Sequence, residues 1–133
     1  MRSFRLLLHA TLTAAVAGCG SAGPTASDLA GSYELVIGPA QAVRNPGARS
    51  ALVLETSGVF TQTCEKESGR RQALRGRWEL REGNVLLSML LDCAGLWKKG
   101  RPQAASLLLD ATPPIALRLS PDLDARYERT PGS

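Results

Sequence analysis

From Gly31 onward, apolar and polar residues alternate with a period of two, the pattern of strands with one buried face. In Gly31-Ser32-Tyr33-Glu34-Leu35-Val36-Ile37, residues Tyr33, Leu35 and Ile37 share a face. Residues 38–49, with two prolines, two glycines and an asparagine, are expected to form a loop. Leu52-Val53-Leu54-Glu55 and Val59-Phe60-Thr61-Gln62-Thr63-Cys64 flank Thr56-Ser57-Gly58. A three-residue hairpin loop with Gly58 in the left-handed position pairs Leu54 with Phe60, so that Leu52, Leu54, Phe60 and Cys64 face one way. A two-residue Ser57-Gly58 turn would set Leu54 against Thr61 and split that set, so the first register is preferred.

Residues 65–72 are polar and charged and are expected to be a loop. Leu74, Gly76, Trp78 and Leu80 then alternate with Arg75, Arg77, Glu79 and Arg81. A turn at Glu82-Gly83 or at Gly83-Asn84 aligns Trp78 and Leu80 with Val85, Leu87, Met89, Leu91 and Cys93. Leu86, Ser88 and Leu90 fall on the other face. Residues 94–103 read as a loop, and 104–110 as a strand in preference to a short helix. After Pro113-Pro114, Ile115, Leu117 and Leu119 alternate with polar or small residues, as do Leu123, Ala125 and Tyr127. The sum is about eight short strands and no long helix. The predicted fold is all-β, a small antiparallel meander barrel whose closure removes exposed edges.

The opening of the first strand, Gly31, one residue, then Tyr33, resembles that of lipocalin-like barrels, which usually carry Trp at the aromatic position. Leu52-x-Leu54, Gly58-x-Phe60 and Gly76-x-Trp78-x-Leu80 are similar to the meander of small lipocalin-like bacterial lipoproteins. The resemblance spans residues 29–93. It implies one barrel domain over residues 29–130. If such a barrel carries a ligand, Tyr33, Leu54, Phe60, Trp78 and Leu87 are the residues that would line its cavity. Trp78 reads first as core.

The amino terminus is a different kind of segment. Arg2 and Arg5 precede a mostly apolar stretch from Leu6 to Val16, then Ala17, Gly18 and Cys19, the parts of a secretory signal peptide. Val16-Ala17-Gly18-Cys19 resembles the bacterial lipobox. That resemblance implies removal of residues 1–18 and acylation of Cys19 at its thiol and new amino group. Each buried CH₂ contributes about 0.8 kcal/mol, and more than one chain gives durable anchoring. Gly20, where an aspartate would mark inner-membrane retention, implies the outer membrane, with the domain facing the periplasm. Residues 19–28 are then the acylated cysteine and a flexible tether of mostly small residues, reaching at most roughly 25–30 Å beyond the cysteine.

Composition adds exclusions. With 133 residues, 44% of them apolar, the chain suits one globular domain and not a disordered segment. Losing residues 1–18 lowers the basic count from 16 to 14 against 12 acidic residues, and the net charge from +4 to +2. No extended basic stripe remains, so no nucleic-acid partner is expected. The single histidine, His9, leaves with the signal, which removes Ser-His-Asp and Cys-His catalysis and nearly all zinc patterns. Glu65/Glu67 and Asp122/Asp124 are carboxylate pairs in or beside loops and read as solvated surface. We therefore expect no enzyme, cofactor or metal.

Of three cysteines, lipidation uses Cys19, and Cys64 and Cys93 remain for a disulfide in an oxidising compartment. A redox or metal role is the weaker alternative, without a Cys-x-x-Cys spacing. Trp97, Lys98, Lys99 and Arg101 form the candidate contact for a partner or a membrane surface, against a simpler reading in which Trp97 folds over the barrel end. Arg70, Arg71, Arg75 and Arg77 read first as a solvated face. The functional expectation is a membrane-anchored, non-catalytic binding or envelope-assembly module with an envelope protein as partner. A lipocalin-type carrier of a small hydrophobic ligand and an inhibitor of a host or rival enzyme are the alternatives.

Overall fold

The computed structural model describes residues 23–97 and 101–133. The segment expected to be a signal peptide, Cys19, Lys98 and Lys99 lie outside them. Eight strands, β1 (Gly31–Ile37), β2 (Arg49–Leu54), β3 (Val59–Glu65), β4 (Arg71–Arg81), β5 (Asn84–Leu90), β6 (Gln103–Asp110), β7 (Ala116–Arg118) and β8 (Ala125–Arg129), follow a four-residue helical turn, α1 (Ala26–Leu29). Each strand pairs antiparallel with the next, and β8 closes onto β1. This is the eight-stranded meander barrel that the alternation predicts.

The turns set the registers. Gly58 takes φ +87° and Leu54 pairs with Phe60, as the three-residue loop requires. Glu82 and Gly83 both have positive φ and Arg81 pairs with Asn84, a two-residue turn whose twist matches the strands. Trp78 therefore faces Leu87, and Leu80 faces Val85. Inward residues from all eight strands fill the interior, with Tyr33, Leu52, Leu54, Phe60, Trp78, Leu87, Leu107, Leu117 and Tyr127 in one buried cluster. Gly76, paired with Phe60, gives that ring its space: a Cβ there would lie 2.7 Å from Phe60 Cε1 and 2.5 Å from Ser88 Oγ.

Three expectations need correction. The polar stretch 65–72 is loop only at residues 66–70, since Glu65 pairs with Arg71 and Cys64 with Gln72, so its two ends belong to the strands. Its charged residues occupy outward and end positions, where a barrel strand tolerates them. Second, the register of β5 on β6 shifts between Leu87 and Leu90. This bulge inverts the parity, leaving Met89 40% exposed and Leu90 fully buried. Ser88 Oγ accepts the Arg77 N–H at 2.9 Å, serving the neighbouring strand where the ladder is disturbed. Third, the end of the stretch read as tether is ordered. Thr25 caps α1, its hydroxyl accepting the Asp28 N–H while the Asp28 carboxylate accepts the Thr25 N–H.

Both barrel ends are closed. At one, Leu29 of α1 is fully buried and its carbonyl accepts the Tyr33 hydroxyl at 2.6 Å. Arg129 donates to the Asp28 and Ala30 carbonyls at 2.6 and 2.7 Å, fastening α1 to the last strand. At the other end, residues 91–97 cross beside the loop of residues 38–48.

Candidate functional site

The segment after β5 is held from inside the barrel. Cys64 and Cys93 form a disulfide with Cα atoms 5.6 Å apart, so both expected inward cysteines meet. Two residues earlier on the same face of β3, Gln62 accepts the Leu91 N–H at 2.8 Å and donates to the Leu91 carbonyl at 3.0 Å. Its amide nitrogen also lies 3.1 Å from the Tyr127 hydroxyl, which is 2.7 Å from Ser50 Oγ. Gln62, Ser50 and Tyr127 are buried, and burial pushes the Tyr127 hydroxyl above its ordinary pKa. Tyr33 is raised for the same reason. No buried side-chain polar atom among the described residues lacks a partner, as a stable polar network requires.

Asp92, two residues past β5, closes a turn. Its two carboxylate oxygens accept the Leu96 and Trp97 N–H groups at 2.6 and 2.8 Å. From the facing loop, the Arg44 and Asn45 N–H groups both donate to the Ala94 carbonyl at 3.1 Å, and the Asn45 amide reaches the Cys93 carbonyl at 3.4 Å. The segment is thereby tied to β3 by side chains and to residues 44–45 by backbone.

Trp97 is half-buried and packs against the core cluster, as the simpler reading expects. It also lines an apolar groove of about 420 Å³ with Leu90, Ala105, Leu107, Leu119 and Leu123. Arg101 is exposed. Tyr33, Leu54, Phe60, Trp78 and Leu87 pack together inside the barrel, and the Trp78 ring nitrogen donates to the Glu55 carbonyl at 2.8 Å.

A second groove, of about 660 Å³, lies on the outside. Its floor crosses four strands through the paired row Glu34, Ala51, Thr63 and Ala73. The neighbouring row is Arg49, Glu65 and Arg71, with Glu65 3.6 Å from Arg71. None of the five candidate cavity residues lines either groove.

Asp122 and Asp124 are exposed between β7 and β8. Among the described residues, no three His, Cys, Asp or Glu side chains converge as a metal site would need. Sequence reasoning missed Gln62 and Arg129. Gln62 does carry a signal, being a polar residue at inward parity between Phe60 and Cys64. Arg129 carries none. Comparison with family models, curated proteins and solved structures found no match to this chain.

Proposed function

We propose that this chain is a non-catalytic binding module of the bacterial cell envelope, held at the periplasm-facing surface of the outer membrane by lipid on Cys19. The observation that carries the binding reading is the barrel's interior. It is filled by its own side chains and closed by Leu29 at one end and residues 91–97 at the other. Concave surface is found instead on the outside and at one rim, which suits a protein partner better than an enclosed lipid. The packing of Tyr33, Leu54, Phe60, Trp78 and Leu87 against one another weighs against a carrier of hydrophobic ligands.

The anchoring reading rests on the Val16-Ala17-Gly18-Cys19 motif. The described barrel is apolar inside and charged outside, with Arg71, Arg75, Arg77, Glu79 and Arg81 all exposed. A membrane-spanning barrel has the opposite arrangement, so acyl chains and not strands would hold the domain. Because α1 begins at Ala26, the tether from Cys19 would span roughly 20–25 Å, keeping the barrel close to the bilayer.

Fractionation with cross-linking tests both parts. The wild-type protein should sediment with outer membranes and Cys19→Ser should not. Cross-linkers at Ala51 or Trp97 should capture one recurrent envelope protein. Equal solubility of both forms would overturn the anchor, and capture of lipid alone would overturn the protein partner.

A further inference from the structure

We propose that the outer groove beside β1 takes an extended peptide segment of a partner protein, which adds to β1 as a strand and sets a carboxylate against Arg49. The inference deepens the binding-module reading and rests on it for the existence of a protein partner. It starts from a mismatch in pairing. β1 is paired to β8 as far as Ile37, but to β2 only as far as Glu34 opposite Ala51. The first two residues of β2, Arg49 and Ser50, have partners only in β3. Beyond Glu34, therefore, the two strands part.

The side of β1 that β2 leaves unpaired beyond Glu34 is a hydrogen-bonding side. The Ser32 carbonyl accepts the Thr130 N–H, and the Gly38 N–H donates to the Asp124 carbonyl. Residues 32 and 38 thus turn their backbone groups toward the β8 side. Strand alternation sends those of Ile37 the other way, to the side that β2 leaves open. A closed barrel normally abolishes such an edge. A guest strand is the ligand whose donors and acceptors repeat at the matching spacing.

The groove begins at the same seam. Glu34 and Leu35 form one side, and the small residues Ala51, Thr63 and Ala73 leave room over the neighbouring strands for side chains of a guest that runs along β1. Of the two arginines along the rim, Arg71 already has Glu65, whereas Arg49 is exposed and has no ion pair among the described residues. An acidic side chain or a terminal carboxylate in the guest would complete that pair.

The test selects short random peptides by phage display on the purified full-length protein and uses the best binder as the probe. An extended, acidic peptide should emerge, slowing amide exchange at Ile37 and Ser50. Ile37→Pro removes the outward N–H while sparing the ladder to β8, and Arg49→Glu reverses the charge. Each should weaken the peptide about tenfold or more, the equivalent of one main-chain or charge-assisted hydrogen bond, with the melting temperature of Arg49→Glu unchanged. If Ile37→Pro fails to fold, Arg49→Glu and the exchange pattern decide. No enriched binder, a binder indifferent to the variants that fold, or protection on another face would overturn the proposal. Such a failure, with Cys19 acylated and envelope cross-links intact, would leave the binding-module reading standing. An unmodified Cys19 would damage the anchoring reading without touching the peptide result.

Discussion

The side-chain amide of Gln62 satisfies both main-chain hydrogen-bonding groups of Leu91, accepting its N–H and donating to its carbonyl. Leu91 lies just past the end of β5, where its backbone has no strand neighbour, and Gln62 stands in for one. Two residues further along both segments, Cys64 is bonded to Cys93. The closing segment is thus fastened at two successive points on one face of β3, first by hydrogen bonds and then covalently.

Replacing Gln62 with Leu should therefore destabilise the barrel by about 2–3 kcal/mol, because the Leu91 N–H and carbonyl lose a partner in a poorly hydrated place. Urea unfolding measures it. A loss below about 0.5 kcal/mol, the usual range for an unimportant surface change, would mean water replaces the amide without cost.

The disulfide closes a loop with a sequence separation of 29. In the chain-entropy treatment its removal costs about 3–4 kcal/mol. The Cys64→Ser/Cys93→Ser double variant should unfold at correspondingly lower urea while keeping its strand content by circular dichroism. An unchanged midpoint would assign the fastening to Gln62 alone.

Gly76→Ala places a methyl group against the Phe60 ring and the Ser88 hydroxyl. Overpacking of this kind costs about 1–3 kcal/mol. Combining it with Phe60→Leu should make the pair less costly than the sum of the single changes. Strict additivity in the double-mutant cycle would deny that the two positions share one space.

The pH dependence has two signs. Burial raises Tyr33 and Tyr127, so the folded state keeps both hydroxyls protonated after the unfolded chain begins to ionise near 10.0. Their stabilising contribution is full below that pH and is lost as the pH climbs through the raised folded values. These are the chain's two tyrosines, so phenolate absorbance should rise together with loss of the barrel's circular dichroism. Phenolate forming near pH 10.0 in a still-folded protein would contradict their burial. On the acid side, the Thr25 backbone N–H and hydroxyl hold Asp28 below its ordinary value of 3.8. The α1 cap should therefore loosen only as the pH falls through and below that value.

Period-two parity makes most of the barrel legible. It pairs Leu54 with Phe60 and Trp78 with Leu87 because a one-residue slip would turn each apolar set outward. Parity fails past Leu87, where the bulge adds a residue. Leu86 to Leu91 is largely apolar on both faces, so nothing local marks the site. Glu65, Arg71 and Gln72 look like loop because outward and end positions of a barrel are as polar as a turn. The Cys64–Cys93 pairing was within reach, since the Cys64 side is set by a tight hairpin. The roles of Gln62 and Asp92 were not, because each binds backbone whose position depends on the bulge. The groove beside β1 is equally invisible, because it arises where two registers end at different places.

The most direct test of the account is the intact mass of the protein purified from its native envelope. The account predicts a chain beginning at Cys19, carrying acyl groups on its thiol and amino group, and lighter by two hydrogens for the Cys64–Cys93 bond. An unmodified amino terminus upstream of Cys19 would contradict it.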